Sequence, residues 1–143
     1  MGGTLDDIGY GLTLDTSDNV YSTGYFRGAA DFDPGDMTTE IMNSIAGSQD
    51  IFVSKLDTSG DFVWAKSMGG ALNDNGYGIS VDTSGNAHIT GYFQGTVDFD
   101  PGIGTFNLAS IKDSDDIFIV LLSGPPAFPW FMFLPAITGQ TAP

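Results

Sequence analysis

Thr23-Gly24-Tyr25-Phe26 and Asp31-Phe32-Asp33-Pro34-Gly35 return as Thr90-Gly91-Tyr92-Phe93 and Asp98-Phe99-Asp100-Pro101-Gly102, and this recurrence decides the fold. Working outward at the same spacing, Met1-Gly2-Gly3 falls on Met68-Gly69-Gly70, Gly9-Tyr10-Gly11 on Gly76-Tyr77-Gly78, and Asp15-Thr16-Ser17 on Asp82-Thr83-Ser84. Past DFDPG one residue drops out of a variable connector. Asp50-Ile51-Phe52-Val53 then meets Asp116-Ile117-Phe118-Ile119, and Phe62 and Trp64 meet Phe128 and Trp130. The chain is a tandem duplication, and self-similarity at such a period is the mark of a repeat architecture.

Within a copy, GYGLTLD and NVYSTGYF flank a polar TSDN, while DIFVSKLD and DFVWAKS flank TSG. This is the pattern of two successive hairpins, with Asp, Ser, Asn and Gly at the tips because they accept left-handed backbone or bond their own main chain. The expectation is all-β: two tandem four-stranded antiparallel blade-like repeats of the β-propeller type, at 1–67 and 68–134, followed by a tail at 135–143. One twisted four-stranded sheet cannot bury both faces alone, so each copy needs a neighbour.

Taken together, D-x-x-G-N, T-G-Y-F-x-G, D-F-D-P-G, D-I-F-V-x-K-L-D and F-V-W-A-K-S-M-G-G resemble the bacterial SBBP-type β-propeller repeat, over residues 1 to about 134. The resemblance implies a secreted or cell-surface propeller module within a larger protein, with no shared catalytic activity. The second copy departs from the pattern where Lys55, Ala65 and Lys66 correspond to Leu121, Phe131 and Met132.

Composition agrees. The 143 residues are 41% hydrophobic, only 15% charged, and include 20 Gly, which suits short strands joined by tight turns. Eighteen acidic against four basic side chains give a net charge of −14, which repels phosphate backbones and argues against a nucleic-acid partner. Such a surface suits an extracellular setting screened by cations, and equally an ordinary solubilising role. With no Cys there is no disulfide framework or thiolate metal site. The opening MGGTLDDIGYG lacks the basic and apolar regions of a secretion signal.

The sharpest site hypothesis is Ca²⁺ at Asp31 and Asp33, with Asp98 and Asp100 in the second copy, because carboxylates two residues apart in extended chain share a face. The competing interpretation is turn chemistry, in which D-P-G makes a tight turn and the Asp side chains cap local N–H groups. Recurrence of the pair in both copies argues against a glycosidase acid and nucleophile. His88 aligns with Tyr21, so the first copy dispenses with imidazole, and a partly buried strand position is expected. Trp64, Trp130, Tyr10, Tyr77, Tyr25 and Tyr92 could stack on sugars, but fixed repeat positions favour packing between sheets. The glycine runs lack the strand-then-helix setting of a phosphate loop.

The last hairpin differs in kind. IFIVLL and FPWFMF are apolar on both strand faces, which marks Ile117, Ile119, Leu121, Phe128, Trp130, Phe131 and Phe133 as partner contacts. Ser123-Gly124-Pro125-Pro126 interrupts the stretch, so no bilayer span is expected. The leading functional expectation is a non-catalytic extracellular structural protein that self-associates, or meets further blades, in a ring, array or filament. The alternative is a recognition module for carbohydrate or protein, assisted by Ca²⁺; a hydrolase fragment would need an unrepeated acid, base or nucleophile.

Overall fold

A computed structural model of the chain describes residues 1–35 and 37–123. It is all-β. The strands run β1 (Gly2–Gly3), β2 (Ile8–Leu14), β3 (Val20–Arg27), β4 (Ala29–Asp31), β5 (Ile41–Asn43), β6 (Gln49–Leu56) and β7 (Phe62–Gly70) in the first copy. They continue as β8 (Asn75–Val81), β9 (Ala87–Phe93), β10 (Thr96–Asp98), β11 (Asn107–Ala109) and β12 (Asp116–Leu122) in the second.

Strands β2, β3, β6 and β7 form a four-stranded antiparallel meander, which we call blade 1. Strands β8, β9 and β12 repeat it as blade 2; the segment expected to supply its fourth strand, with Phe128, Trp130, Phe131 and Phe133, lies outside the described residues. The turns follow the chemistry read from the sequence. Asp15 accepts N–H bonds from Ser17 and Asn19, Asp57 from Ser59 and Asp61, and Asp82 from Ser84 and Asn86. Gly60 and Gly85 take the left-handed conformation that closes two of these tips, at φ +86° and +81°.

The connector after TGYF is more ordered than the two-hairpin pattern predicts. In each copy it folds into a further short hairpin, β4–β5 and β10–β11, ending in one distorted turn of 3-10 helix in which Ala46 and Lys112 have positive φ. These hairpins reach sideways. Val97 and Asp98 pair with Gly70 and Gly69 at the end of β7, so the second copy is hydrogen-bonded to the last strand of the first. Gly2 and Gly3 pair with Asp31 and Ala30 in the same manner.

Blade 1 therefore has two unlike faces. One carries Phe26 and Phe52, with Phe62 and Ala65 of β7 packed alongside, and is covered by Ala30, Phe32 and Met42 of the small-hairpin connector. The other carries Tyr21, Ile51, Val53 and Met68, which pack into one core with Ala87, Ile89, Phe93 and Phe118 of blade 2 and Val97 and Phe99 of its small-hairpin connector. Edge-on aromatic contacts repeat in both copies, Phe26–Phe32 and Phe93–Phe99 each at 5.3 Å between centroids.

Candidate functional site

The joint between the blades is the place where the chain does what its sequence pattern demands, and its lining shows what each blade needs from a neighbour. Alternation along β6 sends Ile51 and Val53 toward blade 2, where both are fully buried. From the other side come Ile79 and Val81 of β8 and Ala87 and Ile89 of β9. Backbone approach is close: a Cβ on Gly76 would lie 2.3 Å from Thr23 Oγ1, and one on Gly11 3.1 Å from the Tyr77 carbonyl oxygen.

Among the described residues, the equivalent positions at the two ends are half to largely exposed. Ile117 and Ile119, which match Ile51 and Val53, are 84% and 80% exposed, and Leu121 is half exposed. At the opposite end Leu12 and Leu14, which match Ile79 and Val81, are 68% and 50% exposed. Gly9, the counterpart of Gly76, has nothing within 4 Å of a built Cβ. Apolar character is thus kept while solvent contact changes, from none at Ile51 to nearly full at Ile117. Of the sequence-derived contacts, Ile117, Ile119 and Leu121 lie together on one face of β12; the remaining four fall outside the described residues. The opposite patch of Leu12 and Leu14 beside Gly9 was missed, because alternation tells which residues share a face and not which face is covered.

The rim of the joint is polar. Asp74 accepts the Gly70 N–H at 2.8 Å on one carboxylate oxygen and the Gln94 N–H at 3.0 Å on the other. Asp50 accepts the Ile45 N–H at 2.8 Å and the Ser48 hydroxyl at 3.0 Å, and it lies so close to Gly69 that a Cβ there would sit 2.3 Å from the carboxylate carbon. Both side chains are buried. Burial pushes Asp50 up to about 6 and Asp74 up to about 7, the latter raised further by the Asp50 charge. Each has a counterpart in the other copy. Asp7 accepts the Gly3 and Arg27 N–H groups, and Asp116 those of Ile111 and the Ser114 hydroxyl.

The four acidic residues proposed from sequence for Ca²⁺ stand in two matching loops. Asp31 Oδ1 accepts the N–H groups of Asp33 and Glu40, and Asp33 accepts from the Gly35 N–H and the Thr38 hydroxyl. Asp98 Oδ1 accepts from Asp100 and Phe106, and Asp100 from Gly102. These bonds are the local capping that the turn interpretation requires. Among the described residues no group of three or more His, Cys, Asp or Glu side chains converges as a metal cage would need.

His88 is exposed, not partly buried as its strand position suggested, and its Nε2 lies 3.7 Å from Asp82 Oδ2. Its counterpart Tyr21 is covered because blade 2 packs on it, and Trp64 meets it edge-on at 5.9 Å. Lys55 lies over the Tyr21 ring at 4.8 Å and bonds Asp15 at 3.3 Å. Of the tyrosines expected to pack, Tyr25 is buried, whereas Tyr10 and Tyr77 depart from that role. Tyr10 and Tyr77 sit on β-bulges of β2 and β8, half exposed, in a row Tyr25–Tyr10–Tyr77–Tyr92 with centroid spacings of 6.1, 4.9 and 5.8 Å.

Residues 63–92, from within β7 through most of β9 and hence across the joint, match the beta-propeller repeat family SBBP. An uncharacterized WD repeat-containing protein of Acanthamoeba polyphaga mimivirus is 26% identical over 99 residues, covering 59% of this chain. The chain spans 7% of the length of that relative. No solved structure matches the chain. Among the described residues no helix is long and apolar enough to cross a membrane.

Proposed function

Because the chain carries an SBBP beta-propeller repeat, we propose that it is a non-catalytic propeller-type interaction module whose blades work by covering one another, and that copies self-associate through their two open faces. The observation that carries this reading is the contrast at matched positions, Ile51 and Val53 buried inside the joint against Ile117 and Ile119 exposed at the end. An apolar strand face left in water forfeits about 25 cal/mol for each Å² that a neighbour could bury. The complementary face, with Gly9, Leu12 and Leu14 on one side of β2, is on the same chain, so the contact is head-to-tail and repeats into a ring or an open array.

Light scattering at micromolar concentration should give particles of two or more chains. Gly9→Val should remove them while leaving the fold unchanged, since a side chain there enters open space in the single chain and meets the incoming strand in the docked one. The loss should be at least about tenfold in affinity, as expected for a blocked central contact. A strict monomer, or a Gly9→Val protein that associates as before, would sink the reading.

A second reading, recognition of a carbohydrate or protein ligand, is favoured by the row of tyrosines with two half-exposed rings, since aromatic rings that are apolar on the face and polar at the tip suit such contacts. The WD repeat-containing relative is compatible with either reading.

A further inference from the structure

The rim residues of the joint inside the chain differ from those at its open ends in one respect. Inside, Gln49 and Asp50 of blade 1 face Asn73 and Asp74 at the entry to blade 2. The Gln49 N–H donates to Asn73 Oδ1 at 3.2 Å, the Asp74 N–H to the Gln49 carbonyl at 2.7 Å, and Asn75 Nδ2 to Gln49 Oε1 at 3.0 Å. The repeat places Asp115 and Asp116 where Gln49 and Asp50 stand, and Asp6 and Asp7 where Asn73 and Asp74 stand. Asn75, which satisfies Gln49, corresponds to Ile8, which has nothing to donate.

Resting on the self-association proposed above, we propose that head-to-tail docking of a second copy is gated by protons at this rim, where Asp115 and Asp116 of one copy come against Asp6 and Asp7 of the next. Four carboxylates replace a set of two carboxylates and two amides, in a contact that removes water from them. Like charges brought together in a drying interface disfavour ionisation and oppose the contact until a proton is taken up. Three cationic groups stand on the surrounding elements. Arg27 directs its guanidinium to the Gly47 carbonyl on its own blade at 3.3 Å, Lys112 lies on the exposed turn before β12, and the Met1 amino group lies at the start of β1. Gln94 holds Asp115 at 2.5 Å through a neutral amide; the row of tyrosines, Tyr25, Tyr10, Tyr77 and Tyr92, also lies nearby, and burial raises Tyr25 and Tyr92 further above the ordinary phenol range. In the joint inside the chain, the two retained carboxylates are already displaced upward by burial.

The test compares association of three full-length chains by light scattering from pH 4.5 to 8.5. The wild type should associate more tightly as pH falls. Asp6→Asn with Asp115→Gln restores the amides of the internal joint, and should raise the midpoint pH of association by about one unit, or tighten binding about tenfold at neutral pH. Asp18→Asn with Asp61→Asn makes the same change in net charge on turns away from the rim and should leave the midpoint where it was. Equal midpoints in all three chains, or equal shifts in both variants, overturn the gated rim and leave self-association standing. Absence of association in every chain at every pH overturns both.

Discussion

Gly24→Ala and Gly91→Ala should each abolish cooperative folding or lower stability by about 3 kcal/mol or more, the upper end of what overpacking costs. A Cβ on Gly24 would lie 1.8 Å from the Ile8 carbonyl oxygen and 2.9 Å from the Gly9 Cα; on Gly91 it would lie 1.8 Å from the Asn75 oxygen and 2.9 Å from Phe118. In both places the obstacle is the backbone of the paired strand just before a bulge, which cannot swing aside as a side chain can. Relief requires breaking β2 from β3, or β8 from β9, and the joint is built on those strands. Gly85→Ala is a useful contrast, since its Cβ would meet nothing and only its positive φ is lost. Urea unfolding of the three variants checks the order. Near-wild-type midpoints for Gly24→Ala and Gly91→Ala would show that the strand pairing at the bulges is wrong.

The second large effect is with pH. Asp50 and Asp74 have folded pKa values of about 6 and about 7, above the ordinary 3.8 of an exposed carboxyl. Between these limits the folded chain holds more protons than the unfolded one, so the contribution is complete below pH 4 and is lost as pH rises through 6 to 7. One pKa unit corresponds to about 1.4 kcal/mol, so the rise from 3.8 to about 6 and to about 7 should weaken the fold by on the order of 6 kcal/mol between pH 4 and pH 8. Four other carboxylates act in the opposite sense. Burial raises Asp15, but bonds from Asn19, Ser17 and Lys55 outweigh it and hold it low; Asp33, Asp82 and Asp98 are held low chiefly by Thr38, Asn86 and the Phe106 N–H. Their contribution is present above the ordinary carboxyl range and disappears on further acidification.

Stability should therefore peak near pH 4 to 5 and decline toward neutrality. Asp74→Asn should flatten that decline, at a price of about 1 kcal/mol for one of its two N–H bonds. Urea midpoints measured every half unit of pH decide the matter, and a wild-type stability that climbs from pH 5 to pH 7.5 contradicts it.

Much of this molecule is legible before any coordinates. The spacing of repeated TGYF and DFDPG predicts two like sheets, and D-T-S-x-N predicts turns whose Asp side chains bind the N–H groups two and four residues on, because both are local consequences of chain chemistry. Local information stops at the strand. Ile51 and Ile117 occupy the same position of the same motif, yet one is sealed in a core and the other faces water. The small hairpin after TGYF was likewise hidden, since its strands of three residues are too short to show alternation and are held by Gly69 and Gly70 of the preceding blade. The buried carboxylates were hidden for the same reason: Asp50 differs from Asp116 only in what has been packed over it. Residue order settles which side chains share a face, whereas which face loses its water depends on the sheet that arrives there, and that is a property of the assembled blades.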